Sequence, residues 1–172
     1  MGTTQMFYRL ERIKELNQED LLTYALINQA MLDGGEDCDN WDAIIDLREQ
    51  FNYKKFGKSK KPEECDRLFL EEIGFNQKND ILTNTIKEIC NFDNEFIYNY
   101  IPMEKLKEVY HKLKENYEEM KNKIINKEYL NINNYKYTEK AIELLNEIIN
   151  YDYNNYGVNV DPEKYYIYFI VL

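Results

Sequence analysis

The sequence has little of the chemistry on which most enzymes depend. It contains one histidine, His111, and three cysteines, Cys38, Cys65 and Cys90. Helical spacing places His111 on the solvent face of its helix, which does not favour a Ser-His-Asp or Cys-His nucleophile. Three cysteines without a close pair argue against a disulfide framework, and against a structural zinc site, which nearly always contains such a pair.

Long apolar runs are missing as well. No stretch approaches the roughly 20 apolar residues that a membrane helix needs. The first residues have neither the basic start nor the apolar segment of a secretory leader. We therefore expect a cytoplasmic protein that does not cross a membrane. The fragment Gly57-Lys58-Ser59 resembles the end of a phosphate-binding loop but lacks the earlier glycine, so no cofactor is predicted.

Positive charge is the third shortage. The formal net charge is -10 at pH 7, and such a chain is repelled by the phosphates of nucleic acids and by anionic membrane surfaces. We expect no direct binding to nucleic acid. A basic protein is the class of macromolecule that this charge would attract.

What the sequence does contain is apolar and aromatic residues suited to one globular domain spanning residues 1–172. Its last eight residues, Tyr165–Leu172, are all apolar or aromatic, which predicts a strand buried on both faces. The run Met6–Leu10 predicts a second strand that pairs with it. We expect an α+β fold, mostly helical, with six or so amphipathic helices packed on a small sheet formed by these N- and C-terminal strands.

The helices are predicted from their ends and from the spacing of their apolar residues. The signals are caps at Asn17, at Asp39 or Asn40 and at Thr138, prolines that begin a helix at Pro62 and Pro102, and glycines that end one at Gly34 and Gly74. A short helix is also expected between Asp93 and Tyr100. In the second helix, the residues spaced to share one face are Trp41, Ile44, Ile45, Arg48 and Phe51.

Two stretches are candidate binding sites. The first is acidic and contains Asp33, Glu36, Asp37, Asp39, Trp41 and Asp42. Its carboxylates suit a basic partner or a Ca²⁺ or Mg²⁺ ion, although Trp41 occupies a ligand position of the EF-hand pattern. The second is rich in tyrosine and asparagine, a combination used in binding surfaces, and contains Tyr151, Tyr153 and Tyr156.

Several segments together resemble the YfbM-like family of small bacterial proteins of unknown function. They are the Met6–Leu10 strand, the segment Asp39–Asp42 leading into a helix, the segment Tyr100–Leu106 opening a long helix, and the apolar strand at the end of the sequence. The resemblance implies a bacterial source and a helix-dominated α+β fold. It assigns no catalytic residue.

The leading hypothesis is therefore a non-catalytic interaction protein, of the immunity or inhibitor type, that binds a basic protein. The alternative is an enzyme that uses carboxylates, with or without a divalent metal, because Asp and Glu are the abundant catalytic residue types. The state of assembly is expected to be a monomer or a homodimer, with the apolar stripe of the long helix as one possible contact.

Overall fold

The computed structural model describes residues 4–34, 39–57, 61–77, 79–92, 98–128, 131–149 and 160–171. The strands are β1 (Thr4–Glu11), β2 (Glu71–Gln77), β3 (Asn99–Tyr100) and β4 (Tyr165–Val171). The α-helices are α1 (Gln18–Gly34), α2 (Trp41–Phe56), α3 (Asp80–Cys90), α4 (Met103–Ile125) and α5 (Ile132–Ile149), and a 3₁₀ helix covers Glu63–Arg67. The predicted α+β, mostly helical fold is confirmed, with five α-helices in these ranges instead of six or so.

The chain folds into two compact units. The sheet unit comprises Met1–Arg9 and Glu72–Leu172, and the inserted unit comprises Leu10–Glu71. Helices α3, α4 and α5 belong to the sheet unit, whereas α1, α2 and the 3₁₀ helix belong to the inserted unit. The prediction of one globular domain over residues 1–172 is not tested by this division and stays a prediction.

The sheet contains both predicted strands. Its order is β2-β1-β4-β3, so β4 is an interior strand next to β1. The four residues Ile167–Ile170 are each at most 3% exposed. Strand β3 pairs antiparallel with β4, and Asn99 lies opposite Phe169. The predicted strand at the end of the sequence is confirmed over Tyr165–Val171, and it is buried on both faces at Ile167–Ile170. Val171 is 38% exposed, and Leu172 lies outside the described residues. Strands β2 and β3 extend the sheet beyond the predicted pair.

The core of the sheet unit joins the sheet to three helices. Phe7 of β1 and Phe169 of β4 lie with their ring centroids 4.9 Å apart. They pack against buried aliphatic residues of α3, α4 and α5, which include Leu82, Ile86, Leu106, Val109, Leu113, Ala141, Leu145 and Ile148. Complete burial of one such large side chain stabilises a fold by about 1.5–3 kcal/mol. This core is therefore the main source of stability in the sheet unit.

Helices α4 and α5 lie antiparallel, as the pairing of their tyrosines shows. The Tyr110 hydroxyl donates to Asn146 Oδ1 at 3.5 Å. Further along, the rings of Tyr117 and Tyr135 stack with centroids 4.9 Å apart, and the Tyr135 hydroxyl donates to the Tyr117 hydroxyl at 2.9 Å. The predicted start of α4 after Pro102 is confirmed, since the helix begins at Met103. A proline is tolerated at the beginning of a helix because the amide hydrogen that it lacks would have no partner within the helix.

The prediction of a helix that begins at Pro62 and ends at Gly74 is wrong. Only Glu63–Arg67 turn helically, as a short 3₁₀ helix, and the chain then enters strand β2 beside β1. A β-carbon at Gly74 would lie 2.8 Å from Ile148 Cδ1 and 2.9 Å from Leu144 Cδ1. The glycine therefore allows α5 to approach the sheet closely and does not end a helix. Pairing with β1 overrides the local helical preference of this segment.

Two further element boundaries differ from the prediction. Asn99 and Tyr100 form strand β3, whereas the remainder of the helix expected there, residues 93–97, lies outside the described residues. Helix α5 begins at Ile132 and not at Thr138. The side chain that caps it is Asn131, whose Oδ1 accepts from the Asn133 amide at 3.0 Å. Thr138 lies inside the helix, where its hydroxyl donates to the Asn134 carbonyl at 2.7 Å.

Candidate binding site on helix α2

Helix α2 separates its residues cleanly into two faces. The five positions predicted to share a face, Trp41, Ile44, Ile45, Arg48 and Phe51, are all half-buried. Positions 42, 43, 46, 47, 49, 50, 53, 54 and 55 are exposed. The predicted phase of the helix is thus confirmed. No residue of α2 is completely buried, so the helix lies on the surface of the inserted unit.

The inner face is held by aromatic rings and ion pairs. Tyr24 of α1 contacts Phe51 edge to face, with ring centroids 5.0 Å apart, and lies 6.4 Å from the Phe56 ring. Lys55 forms an ion pair with Asp20, and Arg48 forms one with Asp66. These contacts fix the rotation of α2 about its axis. The same outer residues are therefore always presented to solvent.

The outer face combines large apolar side chains with carboxylates. Leu47 is 54% exposed and Tyr53 is 76% exposed. Asp42 and Asp46 are exposed one helical turn apart and in phase with Tyr53. Leu47 is exposed roughly a third of a turn further around the helix. We call these four residues the α2 outer face. Single exposed apolar residues are ordinary, whereas apolar residues grouped with charges are typical of protein-binding surfaces.

The structure brings part of the predicted acidic site to this region. Asp33 is exposed in the last turn of α1, Asp39 is exposed just before α2, and Asp42 belongs to the α2 outer face. Trp41 is half-buried on the inner face of the helix. The other predicted binding residues lie outside the described residues: Glu36, Asp37, Tyr151, Tyr153 and Tyr156.

Three residues of the outer face were missed by the sequence reasoning, namely Asp46, Leu47 and Tyr53. The signal for Leu47 and Tyr53 is their phase, because each is out of step with the inner stripe of the same helix. An apolar residue on the exposed side of a helix has no core to enter, so its surface remains accessible to another molecule.

Tyrosines of the sheet unit form the other aromatic group. Tyr8 contacts Tyr98 with centroids 5.9 Å apart, and Tyr100 contacts Tyr166 at 5.5 Å. Burial is the largest cause that raises the pKa of Tyr8, and the nearby Tyr98 and Glu72 raise it further. These rings are half-buried against one another. They offer a partner less free area than Leu47 and Tyr53 do.

The described residues were also considered as metal ligands and as membrane spans. Within these ranges no group of three or more His, Cys, Asp or Glu side chains is placed to hold a metal ion. In the part of the chain that the structure covers, every helix is too short or too polar to cross a membrane. Comparison with protein families, with curated proteins and with solved structures finds no match to this chain.

Proposed function

We propose that this protein is a non-catalytic interaction protein whose α2 outer face binds a basic protein partner. The observation that carries the proposal is the exposure of Leu47 and Tyr53 beside two aspartates on one helix. An immunity or inhibitor role is the sharpest form of this proposal. A bacterial cytosolic location, as in the YfbM-like family, belongs to the same proposal.

The apolar part of the face would supply affinity. Tyrosine gives a large contact area and loses little conformational entropy on binding, and the residues that dominate binding energy are enriched in Tyr. Leu47 would add a second apolar contact, roughly a third of a turn around the helix from Tyr53. Because the inner-face contacts hold α2 in one orientation, the partner would meet a preorganised surface, which lowers the entropic cost of binding.

The charges would supply speed and selectivity. Asp42 and Asp46 lie within a chain of formal net charge -10, so the long-range field attracts a positively charged protein and repels an acidic one. Exposed charges mainly change the association rate and its dependence on salt, whereas the apolar residues mainly change the dissociation rate.

The test is capture from native cytosolic extract with three immobilised baits, followed by quantitative mass spectrometry. The baits are the wild type, the double variant Leu47→Ala/Tyr53→Ala, and the control Ile132→Ala/Tyr137→Ala. The control removes an aliphatic residue and a tyrosine of α5 that are 50% and 39% exposed. We expect one basic protein on the wild type and control baits, with binding to the double variant weakened about 30-fold.

Salt dependence separates the two contributions. Adding high salt should release the partner from the wild type, and Asp42→Asn/Asp46→Asn should bind more slowly at low salt with a weaker dependence on salt. A captured protein that binds all three baits equally would contradict the proposal, and so would an acidic partner.

A further inference from the structure

An open cleft of about 530 Å³ lies at the inner edge of α2, within the inserted unit. Its lining residues are Ile45, Arg48, Glu49, Asn52, Lys61 and Asp66. None of the α2 outer face residues belongs to it. The volume falls within the range of about 300–1,000 Å³ that is usual for small-molecule sites.

Two positively charged side chains of the cleft share one carboxylate. The Arg48 guanidinium and the Lys61 ammonium both contact the same carboxylate oxygen, Asp66 Oδ1. The side chains of Arg48 and Lys61 are only 22% and 24% exposed, so water screens them incompletely. One carboxylate thus serves two cations, so the trio alone has a net positive charge, which the carboxylate of Glu49 balances across the whole lining. Glu49 places an exposed carboxylate at the rim.

Hydrogen-bonding atoms in the same place lack partners. Among the described residues, Arg48 Nε and Asn52 Oδ1 are both buried without a hydrogen bond. The hydroxyl of Tyr24, a completely buried residue of the same unit that does not line the cleft, also lacks a partner among the described residues. Burial is the largest cause that raises its pKa, and Cys65 and Asp66 raise it further, opposed by Arg48. Buried polar atoms are nearly always paired in native proteins, so a group of unpaired ones calls for an explanation such as a bound ligand.

We propose that this cleft binds a free α-amino acid in its zwitterionic form. The ligand carboxylate would accept from Arg48 and Lys61, which share a single Asp66 oxygen between them. The ligand ammonium would donate to Asn52 Oδ1 and to the Glu49 carboxylate. A ligand with both charges satisfies the donor and the acceptor together, whereas a dianion such as phosphate would be repelled by Asp66 and Glu49.

The ligand arm of the test is isothermal titration calorimetry of the full chain with each standard amino acid. For the amino acid that binds, the N-acetyl derivative removes the ammonium and the amide removes the carboxylate. We expect each derivative to bind at least about tenfold more weakly, because a hydrogen bond to a charged group is lost. Inorganic phosphate should not compete. Absence of saturable binding by every amino acid at millimolar concentration overturns the proposal, as does equal binding of either derivative.

The variant arm identifies the site. Lys61→Met should weaken binding at least about tenfold, whereas Lys54→Met, which removes an exposed lysine of α2 outside the cleft, should leave it unchanged. Asn52→Leu should also weaken binding but should melt at or above the wild-type temperature, because it removes an unpaired buried oxygen. Unchanged affinity in both Lys61→Met and Asn52→Leu would overturn the assignment to this cleft.

Discussion

Helix α4 buries Leu106, Val109 and Leu113, whereas helix α2 buries no residue completely. The first belongs to the sheet unit and packs into an aliphatic core. The second is held by ring edges and ion pairs and adjoins unpaired buried polar atoms. The apolar and polar residues of α4 fall on opposite sides of the helix, whereas those of α2 are mixed on both sides. The difference teaches that the sheet unit gains stability from its inner faces, while the inserted unit contains buried polar atoms that lack partners among the described residues.

The largest expected effect is a difference in the free energy of unfolding between truncations in α4 and in α2. Leu113→Ala removes a completely buried aliphatic residue of α4, and we expect it to lower the free energy of unfolding by about 3 kcal/mol. Ile44→Ala, on the half-buried face of α2, should cost about 1 kcal/mol. Urea unfolding of both variants measures the difference. Equal losses would show that α2 is packed as tightly as α4.

Close packing in the sheet unit is tested next at Gly74. Gly74→Ala places a methyl group against Ile148 Cδ1 and Leu144 Cδ1, and should destabilise the protein by about 1–2 kcal/mol. Ile148→Val removes one of the two crowded methyl groups. In a double-mutant cycle, the combined variant should therefore be more stable than the sum of the single variants predicts. Additive behaviour would contradict the close approach of α5 to β2.

Removing a hydroxyl that has no hydrogen-bond partner should raise the free energy of unfolding, whereas the preceding substitutions lower it. Tyr24→Phe deletes the buried hydroxyl that lacks a partner among the described residues, and should raise the free energy of unfolding by about 1 kcal/mol. The control is Tyr135→Phe, which deletes a hydroxyl that donates to Tyr117 at 2.9 Å, and should lower it by about 0.5–1 kcal/mol. Thermal unfolding followed by circular dichroism measures both. A loss of stability in Tyr24→Phe would show that the buried Tyr24 hydroxyl does have a favourable partner, contrary to the structure.

The smallest effect concerns alkaline pH. Burial is the largest cause that raises the pKa of Cys90 from 9.0 to about 11, opposed by Lys105 and reinforced by Glu108. The folded state therefore keeps this proton while the unfolded state releases it, so stability falls as pH rises from about 9 towards 11. Cys90→Ala should show a shallower decline of the unfolding free energy across that window. A decline of equal slope would mean that Cys90 has the same pKa in both states.

Much of the sheet unit could be predicted because its signals are local. The interior strand β4 follows from a continuous run of apolar and aromatic residues, and the start of α4 follows from Pro102. In the inserted unit, the prediction that Asn17 caps α1 is also confirmed, because Asn17 Oδ1 accepts from the Asp20 amide at 2.9 Å. Strand β2 could not be predicted in this way. Its sequence becomes a strand only through pairing with β1, more than sixty residues earlier in the chain.

The candidate sites depend on contacts that sequence spacing does not encode. Arg48 stood within the predicted inner stripe of α2, and a guanidinium at such a position indicates a polar partner. That partner, Asp66, comes from the 3₁₀ helix in a segment for which a longer α-helix was predicted. Tyr24 was not assigned to the buried stripe of α1, because periodicity ranks aliphatic residues before tyrosine. The ion pair and the unpaired hydroxyl therefore become visible only in three dimensions.

The placement of the inserted unit between β1 and β2 has an evolutionary consequence. These two strands are immediate neighbours in the sheet, so the chain departs from one strand and returns on the adjacent one. A segment attached in this manner can be shortened, replaced or diversified while the sheet unit keeps its own hydrogen bonds and core. Natural selection can thus change residues 10–71 without rebuilding the rest of the molecule.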